Sequence, residues 1–157
     1  MAGETTLSGA LEREHREIDA GIEAYVASLA GTEPDLAALG EAMVALRRHI
    51  YLEEEFLFPP LRAAGLMAPV FVMLREHGEL WDAMVAIDAA LAADAGQDLS
   101  AACADLLGRL EAHNAKEEPI VYPVADREID EEATAALLDL IATDTLPPGW
   151  VCAQATR

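Results

Sequence analysis

The sequence predicts an all-α protein, an up-down-up-down four-helix bundle with a short C-terminal fifth helix and a tail. Ala, Leu and Glu dominate and β-branched runs are absent. Gly and Pro gather in a few places, and between them apolar residues recur alternately three and four apart, the seam of a helix facing a bundle core. Short connections then make consecutive helices antiparallel neighbours.

The first helix covers about residues 7–30 and stops at Gly31; its seam is Leu11, His15, Ile18, Ile22, Tyr25 and Leu29. The second begins after Pro34 and ends before Pro59 and Pro60, with Leu39, Ala42, Leu46, His49, Glu53 and Phe56 inward. A short helical turn precedes Gly65. The third spans about residues 68–95 and stops near Gly96; its seam is Val70, Met73, His77, Leu80, Met84, Ile87 and Leu91. The fourth begins near Leu99, ends before Pro123 and turns Cys103, Leu106, Leu110, His113, Glu117 and Ile120 inward. A fifth helix fits residues 130–142, and the segment from Pro147 has no periodicity. The expected layout is one domain, bundle plus fifth helix over residues 1–146, with an irregular tail over residues 147–157.

A chain of 157 residues can bury one sizeable core. The two cysteines, Cys103 and Cys152, stand far apart in no metal-like or redox pair, which fits a reducing interior. The start MAGETTLSGA has no signal-peptide pattern, and no apolar run nears the roughly 18 residues of a membrane span. A cytoplasmic protein is expected. Ten basic against 29 acidic residues leave a net charge of −19, which repels phosphate backbones and anionic membranes and argues against nucleic-acid or membrane partners.

All four histidines lie on helix seams, one per long helix. Residues at one level of an antiparallel hairpin are equidistant from its turn. The midpoint of His15 and His49 is Thr32, that of His77 and His113 is Ala95 beside Gly96, and that of His49 and His77 is Ala63, near Gly65. All four are therefore expected at about one depth. The chain also repeats itself: LEREHREID resembles LREHGELWD, and HIYLEEEFLFP resembles HNAKEEPIVYP, with histidine offsets of 62 and 64 residues. A duplicated hairpin has an approximate two-fold axis, and a site on it receives matched groups from both halves. Those groups are His15, His49 and Glu53, and His77, His113 and Glu117.

In a helix, H-x-x-x-E aims both side chains at one face about one turn apart. Burying carboxylates and imidazoles without partners costs several kcal/mol per charge, about half or more of a typical domain's stability. Metal cations neutralise them directly, and mixed imidazole and carboxylate donors suit first-row metals, iron above all for oxygen chemistry. Two shared glutamates and two histidines per ion give a dinuclear centre with positions left for solvent, oxygen or a bridging oxo group.

The order His, H-x-x-x-E, His, H-x-x-x-E, with E-E-x-x-L-F-P after the second histidine, resembles the hemerythrin-like (HHE cation-binding) family over about residues 5–125. The resemblance implies a non-haem diiron four-helix bundle, with His15, His49, Glu53, His77, His113 and Glu117 as ligands and the glutamates bridging. The oxygen-carrying hemerythrins have a second histidine one turn before His77, where this chain has Met73, and their last carboxylate aligns with Glu118, so Glu117 and Glu118 compete. A small ligand such as dioxygen, peroxide or nitric oxide follows. A peroxide-consuming activity, a sensing or storage module answering through the fifth helix and tail, and a structural zinc site all remain open, as does any electron donor.

Simpler roles are expected elsewhere. Glu12, Glu14, Glu17, Glu54, Glu55, Glu76 and Glu79 read as solvated faces, with Glu54 and Glu118 also placed to be outer partners of the imidazoles. Tyr25, Trp81 and Cys103 read as core. Gly78 costs about 1 kcal/mol in a helix interior relative to Ala and is placed beside His77 where it would permit close helix approach.

Overall fold

The structure is a computed structural model that describes residues 6–156. The expected start of the bundle at residue 1 and the tail's last residue, 157, lie outside the described residues. α1 (Leu7–Ser28) begins at Thr6, whose side-chain oxygen accepts from the Gly9 N–H at 3.0 Å. α2 (Leu36–Leu52) begins at Asp35, which accepts from the Ala38 N–H at 3.0 Å. Neither it nor the fourth long helix stops at the prolines, which corrects the expected ends. α2 runs through a π-helical segment, π1 (Glu53–Leu57), into α3 (Phe58–Ala63). α5 (Ser100–Lys116) runs likewise through π2 (Glu117–Val121) into α6 (Tyr122–Glu128).

Each π segment closes with an N–H bond five residues back, Phe58 to the Glu53 carbonyl and Tyr122 to the Glu117 carbonyl. The α-helix restarts there, and Pro59, Pro60 and Pro123 stand in the new first turn, where a missing N–H costs nothing. The extra residue also shifts the seam by one. Phe56 is half-buried and Ile120 is 48% exposed, whereas Leu57, Phe58, Val121 and Tyr122 are fully inside.

Gly65, at φ +100°, turns the chain into α4 (Met67–Ala93) through a left-handed conformation that other residues resist. α7 (Glu131–Thr143), the expected fifth helix, starts at Asp130, which accepts from the Ala133 N–H at 2.8 Å. α1 packs on α2, α5, α6 and α7, and α4 packs on α5, α2 and α3. Among the described residues there is no strand. No described helix is long and apolar enough to cross a membrane.

The core divides in two along the bundle. One cluster gathers Ile22, Tyr25, Leu46, Leu80, Met84 and Leu110; the other gathers Leu11, Phe58, Val70, Met73, Val121 and Tyr122. On α1, α4 and α5 the histidine falls between them. His15 follows Leu11 and precedes Ile22, and His77 follows Met73 and precedes Leu80.

The tail is irregular, as expected, but it is not loose chain. Cys152 is fully buried, and the Trp150 ring meets Tyr51 and Trp81 edge to face at 5.2 and 5.5 Å. This accounts for Gly78, because a Cβ there would stand 2.7 Å from the Gln154 carbonyl carbon. Gly78→Ala is expected to lift the tail off α4 at a cost of about 1–3 kcal/mol, a Tm drop of several degrees. Tryptophan emission should shift as Trp150 leaves Trp81; an unchanged spectrum and melt would mean that the tail is not held there.

Candidate metal centre

His15, His49, Glu53, His77, His113 and Glu117 are all buried, and both glutamates are fully so. Each histidine uses its two ring nitrogens differently. The Nδ1 side meets a carboxylate of another helix: His15 with Glu118 at 2.7 Å, His49 with Glu14 at 2.8 Å, His77 with Glu54 at 2.8 Å and His113 with Glu76 at 2.9 Å. A carboxylate can only accept, so each Nδ1 carries a proton, and each Nε2 is turned toward the centre, where its lone pair becomes available to a cation. Glu54 and Glu118 thus serve as outer partners. Glu14 and Glu76 do too, although as residues beside a histidine they read as solvated faces; the partner helix of each hairpin covers them.

The Nε2 atoms and the two inner carboxylates form two overlapping sets. One is His15, His49, Glu53 and Glu117, the other Glu53, His77, His113 and Glu117, and within each the donor atoms lie within 4.8 Å of one another. Both sets contain both glutamates. Glu117 therefore brings its carboxylate among the Nε2 atoms, while Glu118 stays on the far side of His15.

The electrostatics fit a cation. Burial and the nearby Glu117 push the Glu53 carboxyl up, but His49 and His77 outweigh them and hold it down at about 2. Burial likewise raises Glu117, and His113 and His15 bring it well below its usual range. Burial lowers His113, and Glu117 and Glu76 raise it to about 10. The carboxylates are thus charged where they are buried. Even so, Glu53 Oε1, Glu117 Oε2 and His77 Nε2 have no hydrogen-bond partner among the described residues, and the 3.1 Å between His77 Nε2 and Glu53 Oε1 is misaligned for one. Buried polar atoms that face one another without hydrogen bonds are what a metal pair would satisfy.

One residue of the centre escaped the sequence reading. The Tyr122 Oη lies 2.6 Å from Glu53 Oε2, 2.9 Å from Glu117 Oε1, 3.0 Å from His15 Nε2 and 3.3 Å from His49 Nε2. Ligand atoms about 2.1 Å from one ion lie roughly 3 Å from each other, so Oη stands as a fifth corner of the first set. Burial raises the phenol well above its usual value, and Glu117 and Glu53 add to it, so Oη keeps its proton and donates to a glutamate. The repeat places Phe58 in the equivalent position. Phe58 stacks on His77 at 5.5 Å as Tyr122 stacks on His15 at 5.6 Å, but it brings no oxygen to the second set. The available signal was the repeat of F-P and Y-P after each H-x-x-x-E.

Met73, where a further histidine could stand, is buried and lines an apolar cleft of about 240 Å³ with Pro69, Val72, Ile120 and Val121. Two links leave the centre toward the C-terminal region. Arg48 donates to Glu14 at 2.8 Å, to the Asp144 carbonyl at 2.8 Å and to the Ile141 carbonyl at the end of α7. The Ala153 N–H of the tail donates to Glu54 at 2.9 Å.

The family model described as Hemerythrin HHE cation binding domain matches residues 6–125 of the chain. No curated protein and no solved structure matches the chain significantly.

Proposed function

The chain belongs to the hemerythrin HHE cation-binding family, and we propose that it holds two iron ions through His15, His49, Glu53, His77, His113 and Glu117 and binds and reacts with dioxygen, peroxide or nitric oxide. The observation that carries this reading is the pair of donor sets sharing Glu53 and Glu117. Iron there would supply electrons and open coordination positions for a small oxygen or nitrogen ligand.

The chain's own groups divide the remaining work. Glu14, Glu54, Glu76 and Glu118 fix the imidazoles with Nε2 inward. Tyr122 holds a proton at Oη beside both inner glutamates, close enough to pass it to an oxygen ligand. It also makes the two halves unequal. The corner beside His15 and His49 is taken up by the Tyr122 hydroxyl, and the set containing His77 and His113 has Phe58 instead, so the second is the open half. The apolar cleft lined by Met73 lies one helical turn from His77, on the approach to that half.

An open half next to a held proton favours reduction of the ligand over its release. The iron(II) protein is expected to oxidise irreversibly on stopped-flow mixing with oxygen, and to consume added peroxide. Full return to the iron(II) state after a vacuum cycle would refute this reading in favour of a carrier. A second reading, a module that senses metal or oxygen, is favoured by the links from Glu14 through Arg48 to α7 and from Glu54 to the tail. No reaction with oxygen or peroxide, together with tail hydrogen exchange that changes on metal loading, would select it.

A further inference from the structure

The four carboxylates that hold the Nδ1 sides differ in what steadies them. Each spends one oxygen on its imidazole. The second oxygen of Glu14 accepts from Arg48 at 2.8 Å, and that of Glu76 accepts from Lys116. Glu54 has no lysine or arginine partner among the described residues. Its Oε1 accepts instead from the Ala153 N–H at 2.9 Å, a backbone group 99 residues further along the chain. Glu118, which the 64-residue offset relates to Glu54, has no second donor among the described residues. The Glu118 side chain is 35% exposed and that of Glu54 only 5%.

The tail holds this donor from both sides. Before it, Trp150 Nε1 donates to Glu55 at 3.1 Å and the Cys152 thiol donates to the His77 carbonyl at 3.7 Å. After it, the Thr156 N–H and hydroxyl donate to Asp82 at 2.9 and 2.5 Å. Between them the Ala155 N–H bonds back to the Cys152 carbonyl at 3.3 Å, which puts Ala153 at the first central position of a tight turn. Ala153 itself is exposed, so what it brings to the site is its N–H.

We propose that the Ala153 N–H is the positioning group for His77, and that the tail thereby sets how tightly Glu53, His77, His113 and Glu117 hold an ion. This rests on the metal-pair reading above. Two bonds in series fix the ring: the tail orients Glu54, and Glu54 Oε2 holds His77 Nδ1 at 2.8 Å. A ligating imidazole with a loose outer partner is a poorer ligand, and losing such a partner weakens metal binding by about 10–100-fold. The set containing His15 and His49 draws on Glu118 and Glu14, and neither hydrogen-bonds to the tail among the described residues. The tail therefore acts on one half of the centre.

Ala153→Pro tests this, because proline removes the N–H and suits the first central position of a turn. Zinc binding, read by competition with a chromophoric chelator, gives the affinity of each position in the wild type, Ala153→Pro, Glu54→Ala and the double variant. The histidine Nδ1–H proton resonances of the zinc-loaded proteins identify the ring affected. Ala153→Pro is expected to weaken one position about tenfold, to leave the other within about twofold, and to move the His77 resonance while that of His15 stays. Added to Glu54→Ala it should weaken binding no further, since both act on one path. A further loss in the double variant would route the effect around Glu54 and overturn the proposal. Unchanged affinity in Ala153→Pro overturns it as well, and so does an equal loss at both positions, which would make the tail a general support of the fold. Each of these results leaves the metal-pair reading standing, whereas a wild type that takes up no metal pair overturns both.

Discussion

Glu53→Ala is expected to empty the centre almost completely, from about two ions per chain to fewer than about one, because Glu53 belongs to both donor sets. Removing it also takes the acceptor nearest Tyr122 and leaves His77 Nε2 without the carboxylate at 3.1 Å. A histidine belongs to one set only, so His49→Ala and His113→Ala should each lose part of the metal and keep the rest. Glu55, exposed on the same π segment, is the control, and Glu55→Ala should load fully. Metal analysis of protein purified without added metal decides. A Glu53→Ala protein with the wild-type complement would mean that the ions sit elsewhere.

Stripping the metal is expected to produce the largest change in stability. With free metal at about a thousand times its Kd, binding only to the folded state contributes about 4 kcal/mol, and a chain of this size then loses roughly 8–16 °C in Tm on chelation. The loss has a specific origin. Without a cation, Glu53 Oε1, Glu117 Oε2 and His77 Nε2 stay buried and unpaired between two apolar clusters. The melt should return when metal is restored. An unchanged melt after verified removal would show that imidazolium–carboxylate pairing holds the layer by itself.

The two-fold arrangement explains why one change on one half need not have the same effect on the other. Glu14 and Glu76 each precede a histidine and each reach the histidine of their own hairpin, while Glu54 and Glu118 cross to the other half. The four outer carboxylates therefore tie both hairpins into one layer. Tyr122 against Phe58 and Asn114 against Ile50 are two buried places where the halves part in chemistry. Both departures sit at the centre. One lies on the carboxylate side of the imidazoles, the other beside Leu46, Leu80 and Leu110.

The number and depth of the histidines were legible in the chain, because helix period and turn position together place a residue along a bundle axis. His15, His49, His77 and His113 needed nothing else to be brought to one level, and Glu53 and Glu117 followed one turn beyond. What lies past the glutamates was not legible. A regular 3.6-residue period carries Phe56 and Ile120 inward, and a proline reads as the end of a helix; the π segments overrule both by adding one residue to the turn. That shift brings Phe58 and Tyr122 inside, and with them the oxygen that makes the centre asymmetric. It is a tertiary outcome, since periodicity alone does not signal a widened turn that aims a glutamate at the centre. The same holds for Glu14, Glu76 and Gly78. Their neighbours in sequence mark them as surface or as a weak point in a helix, and only the packed partner helix half-buries Glu14 and Glu76 and only the returning tail buries Gly78.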